Sequence, residues 1–155
     1  MRINWIDEAV LACGGIPISV ENLESLKAQD IQAIVTLTEH PLTVQKELSA
    51  QTLATMGFET LHVPIIDQEP PTRQQVEDVV GFIDRMKAEG KPVYLHCHAG
   101  VGRTGTMAHA IYLMSEMTLE DVKAKIKATR PTSQFLMLSD VQKMFLENLA
   151  KELQE

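Results

Sequence analysis

The chain has 155 residues, enough for one compact domain with a sizeable core, and its 45% apolar and 23% charged residues are an ordinary globular balance. Its net charge of −7 and the lack of a Lys/Arg-rich stripe argue against a nucleic-acid partner. No stretch is apolar enough to cross a bilayer, and the first residues lack a signal-peptide pattern, so we predict a cytoplasmic protein that binds no membrane.

Short β-rich runs alternate with helical patterns, without a repeat or an obvious linker. We predict strands over residues 9–13, 33–37, 60–66 and 92–97. We predict helices over residues 22–28, 44–56, 73–89 with Thr72 as N-cap, 119–128 and 139–152, and one more after the loop at 97–102. This alternation predicts a single α/β domain over residues 1–155, in which helices flank a mostly parallel sheet of four to five strands.

The loop after the fourth predicted strand carries the strongest functional signal. It reads His96-Cys97-His98-Ala99-Gly100-Val101-Gly102-Arg103-Thr104-Gly105. Its glycines allow a tight loop whose amides turn inward as a nest for an anion, and the N-terminus of the following helix adds to that field. We therefore predict that a substrate phosphate is held by residues of this loop, namely His98, Ala99, Gly100, Val101, Gly102 and Arg103.

Cys97 and Arg103 supply the reactive groups of this loop. A cysteine at a helix N-terminus beside a cation favours the thiolate, which is the nucleophilic form. The planar guanidinium of Arg103 can hold two oxygens of one phosphoryl group. A nucleophile, an oxyanion cradle and a bidentate clamp thus lie within seven residues.

The pattern His-Cys-x5-Arg-Thr-Gly resembles the signature of the protein tyrosine phosphatases and dual-specificity phosphatases. Further segments look like the small atypical dual-specificity phosphatases, and together they extend the resemblance over nearly the whole chain: 11–17, 35–39, 64–67 and 129–131. The resemblance implies a protein tyrosine phosphatase-like fold, a cysteinyl-phosphate intermediate, and catalysis without a metal or other cofactor.

The resemblance also implies a general acid on a loop well before the cysteine. Asp67 lies 30 positions before Cys97, directly after a predicted strand, and is our candidate. Glu69 competes with it, whereas Asp78 and Asp84 fall in a predicted helix. Thr104 occupies the position where the family uses a hydroxyl to stabilise the departing thiolate. The predicted catalytic residues are therefore Cys97, Arg103, Asp67 and Thr104.

Family members also position the attacking water with a residue after an Arg-Pro turn. Gln134 is the first candidate for this role and Gln142, on the last predicted helix, is the second. Around the loop, we expect His96 to support the backbone through a hydrogen bond. His98 either faces the rim of the cleft or points to solvent.

Other polar residues leave two readings open. Glu39 and His40 follow a strand end, so they either line the same cleft or have a structural role. Cys13 is expected to be a small core residue, since nothing in the sequence supports a redox pairing with Cys97.

We therefore predict a monomeric phosphatase that acts on phosphotyrosine, and also on phosphoserine and phosphothreonine, of proteins. A phosphatase of a small molecule such as an inositol polyphosphate is the alternative, because the Ala-Gly-Val-Gly-Arg-Thr run is also similar to phytase-type enzymes. Such polyanions call for more Lys or Arg than this loop has. A phosphate-binding module without turnover, and sulfur transfer or arsenate reduction, are weaker candidates.

Overall fold

The computed structural model of the protein describes residues 1–154. Within them, five strands form one sheet: β1 (Ile3–Asp7), β2 (Leu11–Gly14), β3 (Ala33–Thr36), β4 (Glu59–His62) and β5 (Val93–His96). The same part of the chain forms six α-helices: α1 (Val20–Ala28), α2 (Ala50–Thr55), α3 (Arg73–Ala88), α4 (Gly102–Met114), α5 (Leu119–Thr129) and α6 (Asp140–Leu153). The predicted α/β class is confirmed.

The sheet brings three strand ends together at its centre. Its order is β1-β2-β5-β3-β4; β1 pairs antiparallel with β2, and the remaining pairs are parallel. His96, the last residue of β5, stands opposite Gly14 of β2 and Thr36 of β3. Because these three parallel strands end level with one another, the residues that follow them emerge at one edge of the sheet. The prediction of a mostly parallel sheet is confirmed.

Both faces of the central strands are buried, which explains their continuous apolar runs. One face packs against α3, α4, α5 and α6, and its strand residues include Leu11, Cys13, Val35, Val93 and Leu95. The other face packs against α1 and α2, and its strand residues include Ala12, Ile34 and Tyr94. Alternate residues of each central strand thus belong to two separate hydrophobic cores. The sheet is therefore packed against helices on both of its faces.

Side-chain caps define where the long helices begin. The Thr72 hydroxyl accepts from the Gln75 amide at 3.1 Å, and the Gln75 side chain accepts from the Thr72 amide at 2.9 Å. The predicted N-cap of α3 is confirmed, and the helix ends one residue earlier than predicted, at Ala88. In the described part of the chain, no helix combines the length and apolarity that a bilayer-spanning segment needs.

The predicted helix over residues 44–56 is wrong in its first half. A short 3-10 helix covers Leu42–Val44, and α2 begins only at Ala50, after Ser49 caps it by accepting from the Thr52 amide. The helical spacing of apolar residues in this segment therefore does not correspond to one continuous helix, but to a short 3-10 helix and the separate helix α2. Val44 itself is 61% exposed, so it gives the segment no buried anchor.

The strand boundaries also differ from the predicted ones. β4 ends at His62 instead of residue 66, because the regular register is lost there: the Val63 amide still donates to the Thr36 carbonyl, but the Ile65 amide donates to the Leu37 carbonyl and not to that of Thr38. β1 has no counterpart among the predicted strands: only Ile6 of this edge strand is buried, so its sequence alternates weakly. Ala9, the start of the predicted first strand, lies instead in the β1–β2 turn with φ of 63°.

Candidate active site

The loop between β5 and α4 lies at the centre of the carboxyl edge of the sheet. It begins with Cys97, directly after β5, and gives way to α4 at Gly102. Gly100 has φ of 76°, and a Cβ at this position would collide with the Gly14 carbonyl, so only glycine fits here. The loop therefore wraps closely around the point where the N-terminus of α4 begins.

Two loop carbonyls are held by groups outside the loop. The Cys97 carbonyl accepts from the His96 ring at 2.8 Å, and the His98 carbonyl accepts from the Ile16 amide at 2.9 Å. In a trans peptide the carbonyl and the next amide hydrogen point in opposite directions. The amides of His98 and Ala99 are therefore turned the other way, as an anion nest requires.

His96 supports the loop as a neutral side chain. It is fully buried, and that burial lowers its pKa to about 4. Because a carbonyl can only accept, Nδ1 carries the hydrogen toward the Cys97 carbonyl, and Nε2 accepts from the Thr36 hydroxyl at 2.8 Å. The predicted hydrogen bond from His96 to the loop backbone is confirmed.

Cys97 is 3% exposed and belongs to the core on one face of the sheet. Thr104, in the first turn of α4, is also buried, and among residues 1–154 its hydroxyl has no hydrogen-bond partner. A hydroxyl in this condition can donate to a ligand or to a sulfur atom in the loop.

Arg103 lies beneath the cleft with one of its terminal nitrogens already engaged. Its Nη1 donates to the Glu39 carboxylate at 2.5 Å and to the Ile65 carbonyl at 2.9 Å. Arg103 as a whole is only 4% exposed, so its side chain cannot swing freely. Glu39 therefore fixes the plane of the fork, and a phosphoryl group can use the other edge, formed by Nε and Nη2, which the Asp67 carboxylate approaches to 3.6 Å at Nε.

Glu39 is held as an anion in this arrangement. A hydrogen bond from its own backbone, followed by the bond from Arg103, lowers the pKa of its carboxyl. The sequence indicated only that Glu39 follows a strand end. Its pairing with Arg103 joins residues 64 positions apart, which no local pattern reveals.

Asp67 lies on the exposed side of the same cleft. Its carboxylate is 3.6 Å from Nε of Arg103, and its side chain is 69% exposed. Asp67 lines the cavities on both sides of Arg103, whereas Glu69 lines neither. Asp78 and Asp84 lie in α3, as predicted.

The cleft has two lobes that share Asp67, His98 and Arg103. We call the first the nucleophile lobe, a cavity of about 350 Å³ that contains Cys97 and is closed on one side by Gln142. We call the second the rim lobe, a cavity of about 310 Å³ that contains Glu39 and His40. His98, Glu39 and His40 thus line the cleft, and Glu39 also has a structural role through its bond with Arg103.

The two glutamine candidates occupy different places. Gln142 is 1% exposed, and its carboxamide lies 3.3 Å from the position that a Cβ on Gly102 would take. Gln134 ends a short 3-10 helix and does not line the nucleophile lobe. The first-choice residue is therefore away from the loop, and the second-choice residue is against it.

On the α6 side of the cleft, Gln142 is the single residue that the sequence indicated. Met137, Leu138 and Ser139 line the nucleophile lobe with Gln142, and Ile16 lines the rim lobe. Ser139 could have drawn attention as the N-cap of α6. Within the described residues there is no cluster of three or more His, Cys, Asp or Glu side chains that could hold a metal ion.

Cys13 is a core thiol, as predicted. It is fully buried in β2, forms no disulfide, and burial raises its pKa to about 12. A thiol with so high a pKa is unreactive near neutral pH.

Comparisons with known proteins agree with this geometry. A sequence family described as "Polymorphic toxin system, DSP-PTPase phosphatase" matches residues 12–117. Dual specificity protein phosphatase OPG106 of vaccinia virus is 31% identical over 102 residues, which cover 63% of this chain and 54% of that protein. Human dual specificity protein phosphatase 15 is 28% identical over 117 residues, covering 74% of this chain and 36% of that protein. The chain thus spans about half or less of these relatives.

Solved structures extend the likeness over the whole fold. The crystal structure of a mutant form of Tk-PTP superimposes with a TM-score of 0.83 and 27% identity, covering 99% of this chain and 97% of that one. PTPMT1 in complex with PI(5)P superimposes with a TM-score of 0.82, covering 98% of this chain and 96% of that one. At 21% identity, the second match shows a common fold only.

Proposed function

Because the chain belongs to the DSP-PTPase phosphatase family, we propose that it hydrolyses phosphotyrosine, and also phosphoserine and phosphothreonine, of proteins through a cysteinyl-phosphate intermediate. The family confirms the resemblance drawn from the loop and the predicted class of enzyme, a cysteine-based phosphatase. The observation that carries the proposal is the convergence of Cys97, Arg103 and Asp67 on one cleft.

In the first step, the Cys97 thiolate attacks phosphorus. A sulfur–phosphorus bond forms while the bond from phosphorus to the leaving oxygen breaks, and that oxygen takes a proton from Asp67. The loop amides and the open edge of Arg103 hold the non-bridging oxygens. Phosphoryl-transfer transition states are loose, so these fixed donors supply most of the rate enhancement.

In the second step, water attacks the cysteinyl phosphate. Asp67, now a carboxylate, takes a proton from that water, and the products are inorganic phosphate and the Cys97 thiolate. Thr104 donates its unpaired hydroxyl to the departing sulfur. We assign the positioning of the water to Gln142, because it lies against the loop and Gln134 does not.

The charges around the cleft favour a phosphorylated protein over a polyanionic small molecule. Among the described residues that line the two lobes, Arg103 is the single Lys or Arg side chain, while Glu39 and Asp67 add two carboxylates. A single phosphoryl group finds its clamp in Arg103, but the further phosphates of an inositol polyphosphate would meet carboxylates. The inositol alternative is therefore less well supported.

Direct assays test the proposal. Wild-type protein should hydrolyse a phosphotyrosine peptide, and phosphoserine and phosphothreonine versions of it, faster than inositol hexakisphosphate. Cys97→Ser should lower turnover by about 10⁵-fold or more while vanadate still binds, and the buried-thiol control Cys13→Ala should stay active. Exclusive hydrolysis of the inositol compound, or unimpaired turnover by Cys97→Ser, contradicts the proposal.

We further propose that the protein is a monomer in a reducing, cytoplasmic compartment. It requires neither nucleic acid nor a membrane for its activity. Two cysteines without a disulfide support such a compartment. Sedimentation of the purified protein at several concentrations tests the monomeric state, and a mass that rises with concentration would contradict it.

A further inference from the structure

We propose that Arg130 is a positioning residue of the phosphatase reaction, which shapes the oxyanion cradle from behind and supplies it with a second positive charge. This inference rests on the proposed function. Arg130 lies directly after α5, is 4% exposed, and lines neither lobe of the cleft. It therefore acts on the substrate through the loop and not by contact.

Arg130 holds the carbonyl at the tip of the loop. Its Nε and Nη2 both donate to the Gly100 carbonyl, at 3.1 and 3.0 Å, and the Ser133 hydroxyl donates to the same oxygen at 2.8 Å. Since the Gly100 carbonyl is drawn away from the cleft, the amide of Val101 in the same peptide plane is turned toward it. Arg130 thus orients an amide of the predicted nest.

The orientation of Arg130 is itself fixed. Its Nη1 donates to the Asn4 side chain on β1, and its Nε also donates to the Ser133 hydroxyl at 3.1 Å. A Cβ on Gly100 would collide with Nη2 of Arg130, so the loop and the guanidinium are closely packed. Two segments that are distant in sequence, β1 and residues 130–133, therefore hold one loop carbonyl in place.

The charge of Arg130 has no counter-ion in the described part of the chain. All its partners are neutral oxygens, and within residues 1–154 no carboxylate lies within ion-pair distance of it. Burying a cation is costly, and hydrogen bonds to neutral oxygens offset that cost only in part, so an anion bound nearby would stabilise this charge further. The anion that fits this position is the phosphoryl group in the loop, or the Cys97 thiolate.

Asn4→Asp separates this role from a purely structural one. The new carboxylate would pair with Arg130, keep the brace intact and neutralise its charge. We expect the thermal midpoint to stay the same or rise, while the affinity for vanadate falls about fivefold through lost attraction. Unchanged vanadate affinity in a folded Asn4→Asp protein would overturn the electrostatic part of the inference.

Arg130→Met removes both the charge and the fork, and Arg130→Lys keeps only the charge. Arg130→Met should lower kcat/KM for a phosphotyrosine peptide by about 10²-fold, mainly in kcat, because a cradle amide is no longer held in place. Arg130→Lys should recover part of the vanadate affinity but little of kcat. Tyr112→Phe is the control, since it removes another largely buried hydrogen bond, to Asp7, far from the loop.

Ser133→Ala covers the case in which Arg130→Met does not fold. It removes one donor from the Gly100 carbonyl and should lower kcat about fivefold at unchanged KM. If wild-type protein hydrolyses the peptide but folded variants of Arg130 and Ser133 match it, the inference fails alone. If wild-type protein binds vanadate and hydrolyses nothing, the proposed function fails, and the vanadate affinities still test the role of Arg130.

Discussion

The loop with Cys97 and the segment with Asp67 face each other across the cleft and are held in different ways. Buried groups fix the loop: His96 is fully buried, and Arg130 is 4% exposed. Asp67 is flanked by Ile66, which is 67% exposed, and its own side chain is 69% exposed. The segment is tied to α6 by two bonds to its carbonyls, from Ser139 at 2.8 Å and from Gln142 at 3.3 Å.

This difference assigns the two tasks to two regions: the loop binds the phosphoryl group, and the Asp67 segment transfers the proton. The Asp67 amide also bonds to the Glu39 carboxylate, but the Ile66 and Asp67 side chains stay exposed, so this segment is held less firmly than the buried loop. The oxyanion cradle is therefore preformed, while the acid sits on the part of the site that can shift most easily. Changes in the loop should affect every substrate, and changes at Asp67 should affect those whose leaving oxygen needs a proton.

Among the groups that bind the phosphoryl oxygens, Arg103→Lys should produce the largest loss. Lysine cannot supply the planar fork that Glu39 orients, so kcat/KM should fall about 10³-fold for aryl and alkyl phosphates alike. Steady-state kinetics with p-nitrophenyl phosphate and an alkyl phosphate measure this, with circular dichroism as the check on folding. A loss confined to alkyl phosphates would contradict the division of roles.

Asp67→Asn should act selectively. We expect a loss of about 10²-fold or more in kcat for alkyl phosphates and a smaller loss for p-nitrophenyl phosphate, whose leaving group needs no proton. Glu69→Gln is the matched control, because Glu69 lies two residues away and lines neither lobe. If Glu69→Gln shows the selective loss and Asp67→Asn does not, the assignment of the acid is wrong.

The buried His96 allows the packing of the loop to be tested through folding stability, with no measurement of catalysis. The unfolded chain binds a proton at His96 near its ordinary pKa of 6.5, but the folded protein does so only near 4. Stability is therefore complete above pH 6.5 and falls as the pH drops toward 4, by about 3 kcal/mol. His109 adds to this in the same direction, because burial lowers its pKa as well.

Urea unfolding at pH 7 and at pH 4.5 measures this loss. His96→Gln should be less stable than wild type at pH 7 and should lose less stability on acidification. The exposed control His40→Gln should follow the wild-type curve. If His96→Gln and wild type lose equal stability, the protonation of His96 is not responsible.

Gln142→Ala should have the smallest effect. We expect kcat to fall about tenfold, because a missing carboxamide leaves the attacking water less well placed, and the loss of the bond from the Ser139 amide to the Gln142 side chain should cost about 1 kcal/mol. Gln134→Ala is the comparison and should leave kcat unchanged. The opposite result would return the role to the residue first indicated by the sequence.

The sequence predicted those parts of the site that are contiguous in the chain. Cys97 and Arg103 share one loop whose geometry is set by its own glycines, and Asp67 directly follows the segment that continues β4. The pairing of Glu39 with Arg103, and of Asn4 with Arg130, depends on which strands become neighbours. Such contacts join residues 64 and 126 positions apart, and no local pattern encodes them.

The fold, too, is predictable from the sequence where local patterns are strong, and it is not predictable where contacts between distant residues decide the structure. Buried central strands such as β3 and β5 have continuous apolar runs, whereas the half-buried β1 has little pattern to detect. In the segment 44–56, helical spacing predicts one helix, but Ser49 caps a new helix in the middle of it. Tertiary packing decides which part of such a segment becomes helical.

The brace on the Gly100 carbonyl has a consequence for the order of events during synthesis. Arg130 and Ser133 are translated after Cys97, and the parallel pairing of β2, β5 and β3 requires contacts between distant parts of the chain. A nascent chain that ends shortly after α4 would contain the nucleophile but not the groups that shape its loop. We expect full catalytic activity to arise only after residues 130–133 have left the ribosome, so the presence of the motif alone would not confer it.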